Sequence, residues 1–403
     1  MDGPRLAALR TPAGRDLLVT AQACLLEEPV DDLRRAAALR RRCPETPADL
    51  AAAASALAVL RRSAVAKFGA DAARLWTTRE ALEQATRRSV AEHRAARLAG
   101  SAPGARLVDL GCGLGADLMA AARAGLHVTG IDSDPLRVEL ARANLDEHGL
   151  DGTVLEADAT DVDVSAYHLA FTDPARRSRH RRITDPRECS PGWDVVTGWL
   201  DGAVRGGTVV KTTPAIAHAL VPGGVEAEWV SEAGDLVEAA LWGPPLAQAR
   251  RRATLLPSGA TLTDRDDPGP AAAHVGVPGA YLFEPDDAVV RAGLVTAVAA
   301  QIGGWLVDPH IAYLAGDQAV ATPFARAYRL VEEVPYHRKA LRAALRARDI
   351  GSLTIKKRGV DVVPEQLRAR LGLRGSTPAT LVLTRVRGTG RAYLVEPVST
   401  RSG

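Results

Sequence analysis

The sequence predicts an α/β protein. A Rossmann-like sheet, parallel over most of its width and ending in an antiparallel hairpin, lies between a helical N-terminal domain and a small α+β C-terminal domain. Three observations predict it. From residue 107 to 211, short apolar runs alternate with stretches of helical periodicity, the pattern of a parallel sheet covered by helices. The runs 226–231 and 236–242 are joined by so short a link that they must pair antiparallel. Residues 1–98 carry almost no strand pattern, whereas 331–403 alternate strand and helix.

In chain order, apolar residues recur at helical spacing through 49–60 and 81–98, with Pro44 and Pro47 as breaks and Asp49 as a helix cap. Trp76 suits core packing and also a lid over a ligand. After a loop at 100–104, strands are expected at 107–110, 128–132, 153–156, 169–172 and 208–211, with helices at 116–124 and 136–148. Residues 251–256 add an edge strand, and 99–263 together form the ligand-binding domain. Asp, Gly and Pro over 264–270 read as a linker. The region 264–330 reads as mostly helical and connecting, with acids at the positive end of a helix that opens near Glu284. In 331–403 and its approach, strands are expected at 328–334, 352–357, 380–386 and 391–396, and helices at 337–348 and 364–371.

With 403 residues, two or three domains fit, and 46% hydrophobic with 25% charged residues is ordinary for a globular chain. No apolar run has the ~20 residues of a membrane span, and the N-terminus lacks the apolar core of a secretion signal. Cys24, Cys43, Cys112 and Cys189 show neither CxxC nor zinc spacing. A cytoplasmic protein with free thiols, no membrane and no metal is the expectation; no feature sets the oligomeric state. The net charge of +3 is unevenly spread. Residues 331–403 hold 15 Lys and Arg against 6 Asp and Glu, a surplus of +9, which leaves −6 for the first 330. An arginine-rich composition throughout explains part of this, but Lys339, Lys356 and Lys357, three of only five lysines, lie in the tail. A basic tail on a mildly acidic body points to an anionic partner, RNA foremost. An aromatic content of 4% argues against a single-strand binder that stacks bases.

The stretch Leu107-Val-Asp-Leu-Gly-Cys-Gly-Leu-Gly-Ala-Asp-Leu118 reads as a strand, a glycine loop and the start of a helix. Gly111, Gly113 and Gly115 let backbone approach a ligand that a Cβ would block. Their G-x-G-x-G spacing departs from the G-x-G-x-x-G that seats a pyrophosphate. Asp109, Asp132, Asp158 and Asp173 fall at the ends of four successive strands, the edge where open α/β sheets bind ligands. One such acid is commonly a helix cap; four in succession argue for a site. S-adenosylmethionine is the ligand that fits. Its ribose would bind Asp132 and its adenine amine Asp158. Its methionine part would lie along the 111–115 backbone, Cys112 included, with Asp109 near the ammonium or sulfonium. Ser133 and Ala159 are adjoining cofactor contacts.

The fourth strand runs into Asp173-Pro174-Ala175-Arg176-Arg177. Proline stiffens such a loop so that a carbonyl can point at a substrate, and Asp173 could accept a hydrogen bond or a proton from an amine. An ordinary Asp-Pro turn is the plainer reading. Asp173, Pro174 and Arg176 are the candidate catalytic residues. The basic run that begins at Arg176 could hold phosphates, with Arg177 and, at the end of the next strand, Lys211 as substrate contacts. Cys189 has no partner base in sequence, which disfavours covalent carbon methylation.

Asp173-Pro-Ala-Arg resembles the D/N-P-P-x motif of amino-methyltransferases and the D-P-A-R variant of some RNA methyltransferases. Taken with Trp76-Thr-Thr-Arg-Glu-Ala-Leu-Glu-Gln-Ala, the glycine loop, Asp132-Ser-Asp-Pro and Ile355-Lys-Lys-Arg-Gly-Val-Asp361, the chain resembles a bacterial family of class I methyltransferase-like proteins with a C-terminal THUMP-like domain. The resemblance implies a Rossmann-like class I methyltransferase sheet, S-adenosylmethionine as cofactor, and an acid that orients a nucleophilic nitrogen. THUMP domains elsewhere bind tRNA, which implies structured RNA as partner and Lys356, Lys357 and Arg358 as phosphate contacts. Methylation of tRNA or rRNA at a base nitrogen is the leading expectation. Methylation of a small molecule or protein is the second, and a non-catalytic RNA-binding protein that keeps the fold is the third.

Overall fold

A computed structural model describes residues 1–176 and 189–398. The chain forms two compact units, Met1–Val225 with Ala240–Ala247, and Glu226–Ala239 with Gln248–Gly403.

The first unit opens with helices α1 (Gly3–Arg10), α2 (Pro12–Glu27), α3 (Asp32–Arg42), α4 (Ala48–Phe68), α5 (Arg79–Gln84) and α6 (Arg88–Ser101). Side chains of Asp2, Thr11, Asp31 and Thr78 accept from first-turn N–H groups that would otherwise lack partners. Asp49 is not the cap expected of it. Pro47 precedes α4 and Asp49 sits inside its first turn, where its charge still favours the helix dipole.

The sheet follows: β1 (Arg106–Leu110), α7 (Ala116–Arg123), β2 (His127–Asp132), α8 (Pro135–Glu147), β3 (Thr153–Glu156), β4 (Leu169–Thr172), a short pair β5 (Ala175–Arg176) and β6 (Cys189–Ser190), α9 (Trp193–Gly198) and β7 (Thr208–Thr212). The strands lie in the order β7-β4-β1-β2-β3, all parallel. The chain builds outward from β1 to β3 and then crosses back to β4 on the other side of β1. That reversal opens a crevice at the carboxyl ends of β1 and β4. One core runs from Leu6 through Leu57, Trp76, Leu107 and Phe171 to Leu246, so the helical segment and the sheet share their apolar interior.

In the second unit, β8 (Glu226–Glu232) turns into β9 (Asp235–Trp242) through Ala233 and Gly234, at φ 53° and 89°. Two consecutive left-handed residues make the tight turn that suits the twist of an antiparallel hairpin. β9 ends in the first unit, where Gly243 N–H donates to Thr208 O after β9 has run beside β7. β10 (Arg251–Leu256) pairs in parallel with β8, and β11 (Ala260–Thr263) pairs antiparallel with β10. Residues 251–256 are therefore not an edge strand; four residues were too few to announce the strand beyond them.

The rest is a second sheet: β12 (Tyr281–Pro285), α10 (Asp287–Ala292), α11 (Val295–Ile302), β13 (Trp305–Asp308), β14 (Ile311–Gly316), β15 (Ala325–Val334), α12 (Arg338–Ala347), β16 (Ile350–Arg358), α13 (Pro364–Leu371), β17 (Thr377–Val386) and β18 (Thr389–Pro397). The strand order is β13-β14-β12-β15-β18-β17-β16. This corrects two expectations. Residues 264–330 are not mostly helical but supply three strands and the start of a fourth, and the expected boundary at 331 falls inside β15. β14 is nearly all buried, and a continuous apolar run does not reveal its period.

Candidate active site

The glycine loop joins β1 to α7. Gly111, Gly113 and Gly115 have φ of 90°, 57° and 85°, a region closed to most side chains. Backbone N–H groups of Gly111 and Cys112 donate to Ile131 O at 2.8 and 2.9 Å. Asp132 fastens the loop: its Oδ2 accepts from Gly113 N–H at 2.9 Å and its Oδ1 from Asp134 N–H at 3.0 Å. Each oxygen keeps a second lone pair. A Cβ on Gly113 would meet nothing within 4 Å, so the loop presents open backbone there. The Cys112 thiol turns the other way and is buried; a Cβ on Gly130 would lie 2.9 Å from its sulfur. Only its backbone is left to face a ligand.

Asp109 is 1% exposed, and neither carboxylate oxygen has a hydrogen-bond partner among the described residues. Burial pushes its pKa well above the ordinary carboxylate range; nearby Asp117, Asp173 and Asp132 add to this and Arg94 opposes it. Arg94 itself pairs with Asp117. A buried acid without a donor is the kind of orphan that a cationic ligand group satisfies.

The other predicted residues are placed less uniformly. Asp158 Oδ1 accepts from Thr160 N–H at 2.8 Å and Thr160 Oγ1–H at 2.6 Å, which lower its pKa; it caps the short turn 159–161, with Ala159 half-buried beside it. Ser133 is exposed at the tip of β2. Asp173 lies across the crevice: a Cβ on Gly111 would be 3.8 Å from Asp173 O, so the carbonyl of the Asp-Pro loop faces the glycine loop. Pro174 is half-buried. The Arg176 backbone belongs to β5, and Arg177 lies outside the described residues.

Lys211 is placed differently from its expectation. Its Nζ donates to Asp173 Oδ2 at 2.5 Å and to Thr86 Oγ1 at 3.1 Å. It holds the acid rather than reaching for a substrate. Asp173 Oδ1 has no partner among the described residues, and the side chain is 37% exposed, which leaves that oxygen accessible. Lys67 of α4 lies nearby, donating to Leu82 O and Glu83 O at 2.7 and 3.0 Å. Burial, with the charges of Lys211 and Arg87, pulls its pKa down to about 8.

Sequence reasoning missed Thr86, Lys67 and Asn144. Asn144 is fully buried on α8. Its Oδ1 accepts from Trp76 N–H at 2.8 Å, and its Nδ2 donates to Trp76 O at 3.0 Å and Leu114 O at 2.8 Å. It ties the segment before α5 to the glycine loop. Trp76 is 1% exposed with the Arg61 guanidinium 5.0 Å above its ring, so it is core and not a lid. A single Asn between Ala143 and Leu145 at a helical position gave no signal for this.

In the second unit, Lys356 and Arg358 of β16 pair with Glu284 and Asp287 at 3.1 and 3.0 Å, and Lys357 is exposed. No three His, Cys, Asp or Glu side chains among the described residues are placed to hold a metal, and none of the described helices is long and apolar enough to cross a membrane.

Comparison with known proteins agrees with this geometry. Residues 107–173 match the methyltransferase domain family and residues 325–397 the THUMP domain-like family. Proteins from two strains of Mycobacterium tuberculosis, each named as an uncharacterised S-adenosylmethionine-dependent methyltransferase, are 38% identical over 357 residues, which are 84% of this chain and 95% of theirs. A ribosomal protein L11 methyltransferase from Dechloromonas aromatica is 38% identical over 85 residues, 21% of this chain and 27% of its own. The crystal structure of a Porphyromonas gingivalis protein assigned as a methyltransferase shares the fold, with a TM-score of 0.74 and 18% identity over 96% of this chain and 99% of that one.

Proposed function

Because the chain belongs to the S-adenosylmethionine-dependent methyltransferase family, we propose that it methylates RNA, tRNA or rRNA, at a base nitrogen. The observation that carries the catalytic part is the closeness of the Asp173 carbonyl to Gly111. It brings the donor loop and the acceptor acid to one crevice.

The residues fit the cofactor. Asp109, buried without a donor, suits its cationic end; the open backbone at Gly113 suits its methionine part; the spare lone pairs of Asp132 suit its ribose, and Asp158, with Ser133 and Ala159 beside it, the rim where its adenine would lie. When bound, S-adenosylmethionine supplies an electrophilic methyl group. Methyl transfer then needs an aligned, desolvated nucleophile. Lys211, itself anchored on Thr86 Oγ1, fixes Asp173 Oδ2, and Oδ1 accepts the N–H of the incoming base. Pro174 stiffens the loop that aims the Asp173 carbonyl, and Arg176 is the first residue of the basic run in the sequence after it.

RNA as acceptor is supported by the THUMP domain-like match and by the +9 surplus of residues 331–403. Exposed Lys357 is the outward phosphate contact. The cytoplasm is the compartment we infer, since Cys24, Cys43, Cys112 and Cys189 show neither CxxC nor zinc spacing and fit a reducing environment.

Incubating the full chain with methyl-labelled S-adenosylmethionine and the RNA, protein and metabolite fractions of a strain lacking this gene tests the reading. Label is expected in RNA and is lost with Asp173→Ala. Label in protein or metabolites alone selects another acceptor. RNA binding without label in any fraction selects a non-catalytic RNA-binding protein.

A further inference from the structure

The second unit contains a cleft of about 640 Å³ that plays no part in the methyl-donor site. Its walls are the β8–β9 turn, the β10–β11 turn, the junction of β12 with α10, and the neighbouring ends of β15 and β16. We propose that this cleft binds a single nucleotide unit of the RNA strand, with Arg326 and Arg358 on the phosphate and Leu256, Pro257 and Pro323 against the base. The ligand class rests on the RNA reading above; the cleft itself does not.

The volume falls within the roughly 300–1,000 Å³ of small-ligand sites. The cations within it are not equivalent. Lys356 is committed to Glu284, which also accepts from the Tyr313 and Tyr328 hydroxyls at 3.3 and 3.0 Å. These four side chains form a fixed floor. Arg358 pairs with Asp287, whose side chain is 57% exposed, and a pair so open to water is weak enough to exchange for a phosphate. Arg326 is exposed, and its hydrogen-bond partner is the neutral Tyr328 hydroxyl rather than a carboxylate. It lies against the hairpin turn, where a Cβ on Gly234 would come within 2.9 Å of its Nη2, so the glycine admits the guanidinium. Two guanidinium forks match a phosphate better than point charges do.

The remaining lining selects among anions. Asp235, Asp286 and Asp287 share the cleft with the arginines, so a bare anion would meet repulsion there. A nucleotide turns that arrangement to use. Its ribose hydroxyls donate to carboxylates, and the 2′-hydroxyl is the group that marks RNA. Its base covers Leu256, Pro257 and Pro323, which a phosphate would leave wet. Lys357 alternates to the other face of β16 and is not part of the cleft.

Calorimetry on the full chain tests this, with S-adenosylhomocysteine saturating the first unit. The probes are uridine 5′-monophosphate, its 2′-deoxy analogue and inorganic phosphate. The ribonucleotide is expected to bind about tenfold more tightly than phosphate, and Arg326→Ala and Arg358→Ala each to weaken it about tenfold. Arg368→Ala, on α13 outside the cleft, leaves binding unchanged. Arg326→Lys retains the charge and loses the fork, so partial binding is expected. Circular dichroism melts check that each variant is folded. A ribonucleotide that binds no better than phosphate, or a folded Arg326→Ala/Arg358→Ala protein that binds like wild type, overturns the proposal. RNA methylation without nucleotide binding refutes the cleft alone; nucleotide binding without RNA methylation refutes the catalytic reading alone.

Discussion

Replacing Asp109 with Asn should abolish a pH dependence that the buried carboxyl imposes on cofactor binding. In the free protein, burial raises the Asp109 pKa well above the usual carboxylate value; the Arg94 charge opposes this, and no hydrogen-bond donor among the described residues reaches the carboxylate. A cationic ligand group needs the ionised form. Below the raised pKa, each pH unit therefore weakens S-adenosylmethionine binding about tenfold, or ~1.4 kcal/mol. Two units on that limb are worth about 100-fold. The Asp109→Asn variant would bind with a flat profile. It would also lose a charge-assisted contact worth ~1.5–3 kcal/mol on the alkaline plateau. The sign for folding is the opposite of a salt-bridged acid. Between the unfolded pKa and the raised folded one, the folded protein holds the extra proton, so wild-type stability falls as pH rises through that window. Asp109→Asn removes this loss, and the ligand-free variant should be no less stable than wild type at neutral pH. Isothermal titrations from pH 5 to 9, with melts of the free proteins, measure both effects. A flat wild-type profile, or equal affinity in the variant, refutes the assignment of Asp109 to the cationic end of the cofactor.

Two further outcomes follow from the same crevice. Asn144→Ala leaves three buried backbone groups, on Trp76 and Leu114, without partners; at ~1–3 kcal/mol each and partial relaxation, a loss of about 3 kcal/mol in urea denaturation of the first unit is expected. An unchanged urea midpoint would show that Asn144 is not the tie between the helical segment and the glycine loop. Lys211→Met frees Asp173 and should cut kcat about tenfold or more while S-adenosylmethionine affinity stays put, with Lys211→Arg restoring part of it; a rise in KM with kcat intact would return Lys211 to substrate binding.

Much of the first unit was legible because its signals are local. Short apolar runs between stretches of helical periodicity, glycines at 111, 113 and 115, and acids at strand ends are features that residue type alone reports. The predicted strands 153–156 and 169–172 and the predicted helix 364–371 coincide with β3, β4 and α13. The S-adenosylmethionine family was legible for the same reason, since the glycine loop is contiguous and each acid is read from its own strand end.

The tertiary structure decided what depends on partners distant in sequence. Lys211 and Asp173, 38 residues apart, become one ion pair only when β4 and β7 lie side by side. Asn144 and Trp76 meet across 68 residues. The strands within 264–330 hide in buried apolar runs whose period is ambiguous until a sheet pairs them. The three basic residues at 356–358 read alike in sequence. The alternation of β16 sets Lys356 against Glu284 and Arg358 against Asp287 and turns Lys357 out to solvent. Local residue chemistry determines which groups can act; the pairing of strands determines which of them face one another.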